Sequence, residues 1–224
     1  MPAPSAPPVR AARQARSRET EQRILRALRE LLDEKSFDQL SIADVAGRAG
    51  VSVGGFYARF ASKHDALLHL SYAGYVADAV AMADRDLDPA RWAGAGIAPI
   101  AEAYFRLMVR AGHDHHALLR ELVQRHRADP AAMRGVEAWE RFQERVHGPF
   151  RRLLAERIGA VRHPDPALAL RVGFSLTSSA LREALLFPHM GPPPGELTPE
   201  ALAVELTRLF CGYLGVPLDG SSAA

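Results

Sequence analysis

A group of histidine and carboxylate side chains near the middle of the chain could bind a metal ion. The group consists of His113, Asp114, His115 and His116, with His126 further on. Imidazole and carboxylate groups together suit zinc or nickel. His113 and His116 would share a helix face only if one helix spanned both, but Gly112 favours a helix end here. We therefore predict that Asp114 caps a helix, that the histidines are solvated, and that the chain binds neither a metal nor another cofactor.

Enzymatic chemistry has little support in the sequence. The chain contains neither the HExxH pattern of zinc peptidases nor a glycine-rich phosphate-binding loop, and its one cysteine, Cys211, lies in an apolar helical pattern. A single cysteine allows no intramolecular disulfide, which fits a reducing compartment. We predict that the protein is not an enzyme and that it is cytoplasmic.

Residues 41–68 contain a series of helix caps and short helical segments, which the other helices of the chain would have to hold in position. Ser41 begins a capping box, and an apolar helical stripe follows it. Gly50 then stands where a left-handed helix end belongs, and Ser52 can cap a second helix almost at once. Ser62 repeats the cap and begins a third helix. Two helices joined by so short a turn cross steeply, which predicts a helix-turn-helix.

The second of these helices has an unusual composition. Gly54 and Gly55 each cost roughly 1 kcal/mol relative to alanine inside a helix. A helix whose first turn lies against base edges and phosphates would require that no side chains stand at these positions. The alternative is a short helix that tertiary contacts alone hold in place.

A set of positions in this region agrees with a known family without a gap. The matching residues are Ser41-Ile42-Ala43, Ala49-Gly50-Val51-Ser52, Gly54, Phe56-Tyr57, Phe60, Ser62-Lys63 and Leu67. Together with a preceding amphipathic helix, they resemble the DNA-binding domain of the tetracycline-repressor (TetR) family. The chain departs from the family pattern at Ser36, Ser41 and Arg59, where glycine, threonine and histidine are more usual. Serine keeps a cap hydroxyl and arginine keeps a phosphate donor, so the expected fold stands, whereas Arg59 is expected to alter contacts or affinity.

The resemblance implies a sequence-specific transcriptional regulator, a repressor that a small-molecule effector releases from a two-fold operator in double-stranded DNA. Val53, Gly54 and Gly55 are expected to face the bases, Val53 through a thymine methyl group. The other expected DNA-binding residues, mainly at phosphates, are Thr20, Ser41, Arg48, Ser52, Tyr57, Arg59 and Lys63. An activator with the same motif and an all-α interaction protein that retains the fold are the alternatives.

Composition sets broad limits on size and partners. The chain has 224 residues, 48% of them hydrophobic and 24% charged, which is enough for one domain or for a small domain and a larger one. Residues 1–70 carry a net charge of +3 and the remainder −1. This mild asymmetry supports nucleic-acid binding only because it coincides with the motif. No run of 18 or more apolar residues indicates a membrane span, so no membrane partner is expected.

Residues 1–15 are predicted to form a disordered basic arm, because they are rich in proline and alanine and contain no acidic residue. Arg10, Arg13 and Arg16 would lie along phosphates, and a solvated tail or a transit peptide is the alternative. A first amphipathic helix follows at about residues 18–34. Thr20, near its predicted start, either contacts a phosphate through the helix N-terminus, as the resemblance implies, or serves as a simple cap.

The rest of the chain is predicted to be helical. A long helix from residue 62 to at least residue 82 contains the boundary between a DNA-binding domain, residues 16–70, and a larger domain, residues 71–218, with a tail at 219–224. Further helices are expected at about 99–111, 115–128, 131–158 with a kink at Gly148-Pro149, 166–187 and 198–214. The fold class is therefore all-α, with about nine helices: a three-helix helix-turn-helix domain and a helical effector-binding and dimerisation domain.

Apolar stripes on the last two helices are the strongest sign of a protein partner. The resemblance implies that these helices form a dimeric four-helix interface. Its expected residues are Leu181, Leu185, Leu202, Leu206, Leu209, Phe210 and Tyr213. Ordinary intramolecular core is the alternative for each of them. A homodimer would place two reading helices about 34 to 36 Å apart, as a two-fold operator requires.

An aromatic and thioether group in the larger domain is the candidate effector pocket. It comprises Tyr104, Phe105, Met108, Trp139, Phe142 and Phe174. Most of these side chains are expected in a core, but the resemblance implies an effector between helices at about these positions. The expected effector is apolar or aromatic. Neither its identity nor the operator sequence can be predicted from the residues.

Overall fold

The computed structural model describes residues 9–128, 137–187 and 197–218, with side chains from residue 15 in the first range and from residue 140 in the second. Contacts divide the chain into two units, Met1–Ser71 and Tyr72–Ala224, and this division lies one residue from the predicted boundary. Within the described ranges the structure contains α-helices, π-helical turns and short 3-10 turns, and no strand. The predicted all-α class is confirmed.

The first unit contains four helices: α1 (Val9–Glu34), α2 (Ile42–Ala49), α3 (Val53–Tyr57) and α4 (Lys63–Ser71), with a 3-10 turn at Phe37–Gln39. The second unit contains α5 (Ala77–Asp86), α6 (Ile97–Asp114), α7 (His116–Ala128), α8 (Glu137–Phe142), α9 (Gly148–Ala155), α10 (Pro166–Leu186) and α11 (Pro199–Leu214). A π-helical turn at Tyr72–Val76 joins α4 to α5, and another at Gln143–His147 joins α8 to α9. The described segments therefore form nine continuous helices, as predicted.

Local capping defines the helix-turn-helix. The Ser41 hydroxyl oxygen accepts a hydrogen bond from the Asp44 amide at 3.1 Å, and the Asp44 carboxylate accepts one from the Ser41 amide at 2.8 Å. Gly50 ends α2 with φ of 64°, a left-handed conformation that glycine adopts without steric cost. The Ser52 hydroxyl then accepts from the Gly55 amide at 3.0 Å and starts α3. These three predicted caps are confirmed.

The core of the first unit is apolar. Helix α1 packs on α2 and α4, and α3 packs on α2. The fully buried side chains are at most 2% exposed and include Ile24, Leu28, Phe37, Val45, Phe56, Phe60 and Leu67. Phe56 lies 5.6 Å from Phe60, ring centre to ring centre. Burial of this aromatic pair fixes the orientation of α3 although the helix has only five residues.

The predicted start of α1 is wrong. The helix begins at Val9 rather than near residue 18, so residues 9–15 are helical and do not belong to a disordered arm. Residues 1–8 lie outside the described residues. Thr20 consequently lies in the middle of α1, where its hydroxyl donates to the Arg16 carbonyl at 2.9 Å. It neither caps the helix nor stands at a helix N-terminus, because the alanine and arginine residues before it extend the helix.

The second unit is built around α6, which packs against α5, α9, α10 and α11. Tyr104 on α6 stacks on Phe150 with ring centres 3.8 Å apart, and Phe105 meets Phe210 of α11 edge to face at 5.7 Å. Helices α10 and α11 also pack closely on each other. A Cβ atom on Gly173 would lie 3.2 Å from both Phe210 and Tyr213, so glycine at this position permits the close contact.

The end of α6 differs from the prediction. Gly112 does not end the helix, which continues to Asp114. A Cβ atom on Gly112 would lie 2.7 Å from a methyl carbon of Leu185, so the glycine serves helix packing rather than termination. The expectation of solvated histidines is wrong for His115, which is 5% exposed and lies 2.9 Å from a carboxylate oxygen of Asp78.

Two other predicted segments fall partly outside the described residues. The predicted helix 131–158 is described only from residue 137, and it ends at Ala155. Its predicted irregularity at Gly148-Pro149 corresponds to the π-helical turn just before α9. Residues 188–196, between the last two predicted helices, also lie outside the described residues. One helix, Lys63–Asp86, has the length and apolarity of a membrane span, but 44% of that segment is buried within the protein, which makes it weak evidence for a membrane.

Candidate nucleic-acid interface

Helix α3 presents two large apolar or aromatic side chains to solvent. Val53 is 44% exposed and Tyr57 is 54% exposed, whereas Phe56 between them is fully buried. The Tyr57 ring meets the Phe56 ring edge to face, with centres 5.8 Å apart, so its position is fixed from below. Helix α3 therefore leaves two of its three largest side chains at the surface of the unit.

The two glycines of α3 differ in whether the fold requires them. A Cβ atom on Gly55 would lie 3.3 Å from the Ser52 hydroxyl oxygen, close enough to crowd the cap. A Cβ atom on Gly54 would meet only that same oxygen, at 3.8 Å, which is an ordinary contact. The fold of the unit therefore does not require glycine at position 54. Gly54 is exposed, so the absence of a side chain leaves room for a molecule outside the unit.

The residues around Ser52 also spell the pattern GxSxG, Gly50 to Gly54, which in hydrolases surrounds a serine nucleophile. In those enzymes the serine stands on a turn from a strand to a helix. Here a helix precedes the turn, and the Ser52 hydroxyl accepts the Gly55 amide hydrogen as a helix cap. The serine is therefore a structural cap in a helix-turn-helix rather than a nucleophile.

Arg48 is paired with carboxylates inside the first unit. Its guanidinium donates two hydrogen bonds to the carboxylate of Glu34, at 2.9 and 3.0 Å, and lies 3.6 Å from Glu30. Hydrogen bonds to Arg48 lower the pKa of Glu34 and so keep it charged. The paired carboxylates belong to α1. A phosphate contact by Arg48 stays a prediction, and the phosphate would compete with these carboxylates for the guanidinium.

Lys63 is likewise engaged inside the unit. Its ammonium donates to the carbonyl oxygens of Phe37 at 2.6 Å and Leu40 at 2.5 Å, and lies 4.3 Å from the centre of the Phe37 ring. This geometry ties the first residue of α4 to the segment between α1 and α2. The structure gives this lysine a structural role, and its phosphate contact stays a prediction.

The remaining predicted DNA-binding residues lie on or near α3 or serve as caps. Arg59 donates from Nε to the Ser17 carbonyl and from Nη1 to the Ala58 carbonyl, both at 3.3 Å, so it joins the end of α3 to α1. The Ser41 hydroxyl also donates to Asp44, at 2.7 Å, which completes its role as a cap. Among the predicted contacts, Ser52, Val53, Gly54, Gly55 and Tyr57 lie together at α3.

Comparison with known families decides the identity of this unit. Residues 24–70, which span the end of α1 and all of α2, α3 and α4, match the family model described as bacterial regulatory proteins, tetR family. The first unit therefore contains the N-terminal domain typical of the tetR family. No curated protein matches the chain.

Solved structures with a similar fold match both units of the chain. The TetR-family transcriptional regulator PfmR from Thermus thermophilus is 22% identical, with a TM-score of 0.59 over 86% of this chain and 97% of its own. The fatty acid degradation regulator FadR from Bacillus halodurans is 18% identical, with a TM-score of 0.57 over 88% and 97%. RolR in complex with resorcinol is 19% identical, with a TM-score of 0.51 over 92% of each chain. Similarity at these identities establishes the fold of the larger unit.

The predicted effector residues that the structure describes contribute to an aromatic core in the second unit. Tyr104, Phe105 and Phe142 are at most 2% exposed, Met108 is 8% exposed, and Phe174 is half-buried. Phe174 lies 6.1 Å from Tyr104, ring centre to ring centre, so side chains fill the space between them. The side chain of Trp139 lies outside the described residues. A separate open cleft of about 660 Å³ is lined by Glu140, Gln143, Glu144, Gly148, Arg151 and Arg152.

His147 is a polar member of this core that the sequence prediction missed. Its Nδ1 atom lies 2.8 Å from the Tyr104 hydroxyl, and its ring meets those of Phe142 and Phe174 edge to face at 4.6 and 5.1 Å. Burial, with a smaller effect from Arg151, lowers the pKa of His147 to about 4, so the imidazole is neutral at pH 7. A histidine between Val146 and Gly148-Pro149 was the available sequence signal. The Tyr104 hydroxyl and the His147 imidazole therefore place a pair of hydrogen-bonding groups inside a mostly aromatic region.

The predicted dimer residues divide between core and surface. Leu181, Leu206 and Phe210 are at most 6% exposed within one copy, so their assignment to a dimer surface is wrong. Leu185 and Leu202 are half-buried. The exposed members are Leu209, at 53%, and Tyr213, at 37%. Leu176 on α10, 56% exposed, was missed because the apolar stripe of α10 is broad and only packing decides which side faces inward.

No group of three histidine, cysteine, aspartate or glutamate side chains among the described residues is arranged to hold a metal ion. In the histidine cluster at the end of α6, His115 pairs with Asp78, and the His116 Nδ1 atom lies 3.2 Å from the His113 carbonyl oxygen. These contacts direct the neighbouring imidazoles to different partners.

Proposed function

We propose that this protein is a dimeric, ligand-responsive transcriptional repressor that binds a two-fold symmetric operator through α3. The observation that carries the proposal is the surface of α3, where Val53 and Tyr57 are exposed beside a glycine that the fold itself does not require. A reading helix that lies against DNA bases needs such a close approach. A helix held only by tertiary contacts would have no reason to exclude a methyl group at Gly54.

The contacts follow from the chemistry of the exposed groups. Val53 packs against a thymine methyl group in the major groove, and the Gly54 and Gly55 backbone lies at the base edges. The Tyr57 hydroxyl donates to a phosphate oxygen, and the Ser52 hydroxyl, which accepts from Gly55, still has its own hydrogen to donate to another. Phosphate contacts set the register, whereas Val53 and the glycine backbone supply sequence preference.

The dimer uses the outward sides of α10 and α11. Leu176, Leu209 and Tyr213 are exposed there, and Gly212 has no atom within 4 Å of the position that a Cβ would occupy. A glycine in the last turn of a helix, with open space beside it, favours close approach of a helix from a second copy. A two-fold dimer presents two copies of α3 to one face of the operator.

An effector acts through the second unit, around Tyr104 and His147. A neutral imidazole beside a tyrosine hydroxyl, enclosed by Phe105, Phe142 and Phe174, suits an aromatic molecule with a polar substituent. The resorcinol bound by RolR, a structural relative, is a ligand of this chemistry. Because the rings fill this region without a ligand, binding requires a rearrangement, and differential affinity for the rearranged state shifts the dimer away from DNA. The protein performs no covalent chemistry and acts in the cytoplasm.

Selection from a library of random duplexes tests the proposal and identifies the operator in the same experiment. The purified protein is expected to enrich a two-fold symmetric sequence and to protect both half-sites from cleavage. Tyr57→Ala should reduce affinity for the enriched duplex at least tenfold while circular dichroism stays unchanged, and Lys35→Ala, at an exposed site away from α3, should have little effect. No enrichment, or equal binding by wild type and Tyr57→Ala, would contradict the proposal.

Repression and activation are separated by a transcription assay on a promoter that contains the enriched sequence. Added protein is expected to reduce transcript yield, and an increase would favour the activator alternative. An interaction protein that merely retains the fold would change neither transcript yield nor DNA mobility.

A further inference from the structure

The positive side chains from α2 to α4 that are expected to meet DNA phosphates have other partners in the first unit. Arg48 pairs with carboxylates of α1, and Lys63 donates to two backbone carbonyls. Arg59 also donates to backbone carbonyls. A protein that binds duplex DNA neutralises phosphates with lysine and arginine, because release of condensed counterions supplies much of its affinity. Another cation close to the helix-turn-helix is therefore needed.

Arg23 on α1 has the required position and lacks a protein partner. Its Nε atom is buried and has no hydrogen-bond acceptor, and no hydrogen bond or ion pair joins this side chain to any described residue. Its Nη1 atom lies 3.9 Å from the point that a Cβ on Gly50 would occupy. Gly50 is the exposed residue that ends α2, two positions before Ser52. The guanidinium of Arg23 therefore lies at the turn that leads into α3.

The neighbouring residues keep the arginine at this position. Ile24 and Leu25, which follow it on α1, are at most 7% exposed and fix that face of the helix in the core. The guanidinium lies within van der Waals distance of Gly50, whose φ of 64° the turn requires. A buried donor without an acceptor is rare in folded proteins and is costly unless a partner arrives from outside.

We infer that Arg23 is a phosphate-binding residue, which holds the DNA backbone beside the turn between α2 and α3. The inference rests on the proposed function and adds a contact from α1 that no sequence motif assigned. The guanidinium is a planar donor that suits a phosphate oxygen pair, and the contact would be independent of base sequence. Arg23 would thus anchor the turn while Val53 and Tyr57 read the groove.

The test measures how DNA affinity depends on salt, using a fluorescent duplex of mixed sequence as the probe. Each phosphate contact contributes about 0.9 to the slope of log affinity against log salt. Arg23→Gln should reduce that slope by about 1.8 for a dimer with two such contacts. The affinity advantage of the wild type would then shrink roughly twelvefold between 50 and 200 mM salt. Arg26→Gln, the same change at an exposed position three residues further along α1, is the matched control and should retain the wild-type slope.

Thermal unfolding separates this role from a purely structural one. Arg23→Gln is expected to keep its unfolding temperature, and Arg23→Lys, which keeps the charge, to recover most of the slope. An unchanged slope in Arg23→Gln, or an equal loss in Arg26→Gln, would overturn the inference. A lower unfolding temperature in both Arg23 variants with a wild-type slope would assign Arg23 to the fold instead. Absence of DNA binding by the wild type would be a different result, because it would contradict the proposed function itself.

Discussion

The ammonium nitrogen of Lys63 lies 2.6 Å from the carbonyl oxygen of Phe37 and 4.3 Å from the centre of the same residue's ring. It also donates to the carbonyl oxygen of Leu40 at 2.5 Å. One side chain at the start of α4 thus satisfies two carbonyls of the segment between α1 and α2. These carbonyls precede the helix-turn-helix in sequence, so the lysine fixes the segment that leads into α2.

Replacement of Lys63 should therefore reduce stability. Charged hydrogen bonds contribute about 1.5 to 3 kcal/mol each, and partial exposure of this lysine places the expected loss for Lys63→Ala at about 2 kcal/mol. Urea unfolding of the full chain, followed by circular dichroism, measures the change. Lys35→Ala, which removes the other lysine from an exposed position, should stay within about 0.5 kcal/mol of wild type. Equal stabilities for the two variants would show that the ammonium contributes nothing to the fold.

Gly54→Ala should separate stability from DNA affinity. The new methyl group would meet only the Ser52 hydroxyl oxygen, at 3.8 Å, and alanine should stabilise the helix by up to about 1 kcal/mol. DNA affinity should nevertheless fall at least tenfold, or about 1.4 kcal/mol, because the methyl group lies between α3 and the bases. Thermal unfolding and a gel-shift titration on the selected duplex measure the two effects.

Gly47→Ala is the matched control for this experiment. Gly47 lies in α2 with open space beside it, so it should gain similar stability while DNA binding stays the same. If Gly54→Ala bound DNA as tightly as Gly47→Ala, close approach at Gly54 would no longer explain the glycine.

Acid should destabilise the second unit through His147. Burial lowers its folded-state pKa to about 4, while the unfolded chain has the ordinary value near 6.5. Between these values the unfolded state binds more protons, so this contribution is present above pH 6.5 and is lost as the pH falls towards 4. The loss between pH 7 and pH 5 should be about 2 kcal/mol.

Urea unfolding at several pH values measures this dependence. His147→Gln should flatten the curve between pH 7 and pH 5, whereas His126→Gln, the same change at an exposed position, should leave it as in wild type. Tyr104→Phe removes the hydroxyl partner but keeps the buried imidazole, so it should preserve the acid sensitivity. A wild-type curve in His147→Gln would assign the acid sensitivity to other groups.

Short-range features of this fold follow from the sequence, whereas partners brought from a distance do not. The caps at Ser41, Gly50 and Ser52 depend on residues within a few positions, and the structure contains all three. Gly112 has the same residue type as Gly50 but lies inside α6, because its missing side chain makes room for Leu185 from α10. A local pattern cannot distinguish these two uses of glycine.

In the candidate site, too, local features follow from the sequence, whereas contacts between distant residues do not. The exposure of Val53 and Tyr57 follows from the spacing around Phe56, which the sequence marks as apolar. The roles of Arg48 and Lys63 depend instead on acceptors on α1 and after it, which only the folded chain brings near. Arg23 Nε has no hydrogen-bond partner among the described residues. Its position beside Gly50 depends on the packing of α1 on α2, which no local sequence pattern specifies.

Leu209→Glu should convert the dimer to a monomer. Leu209 is 53% exposed on α11, next to the open space at Gly212, and a two-fold axis would bring two added carboxylates together at a desolvated surface. The dissociation constant of the dimer should rise at least a hundredfold, or about 2.7 kcal/mol, as measured by sedimentation equilibrium. Ile158→Glu introduces the same charge at a 39% exposed position outside α10 and α11 and should leave the dimer intact. Because one copy of α3 can occupy only one half-site, the Leu209→Glu monomer should also lose cooperative protection of the second half-site. A dimer that survives Leu209→Glu but dissociates on Ile158→Glu would move the interface away from α11.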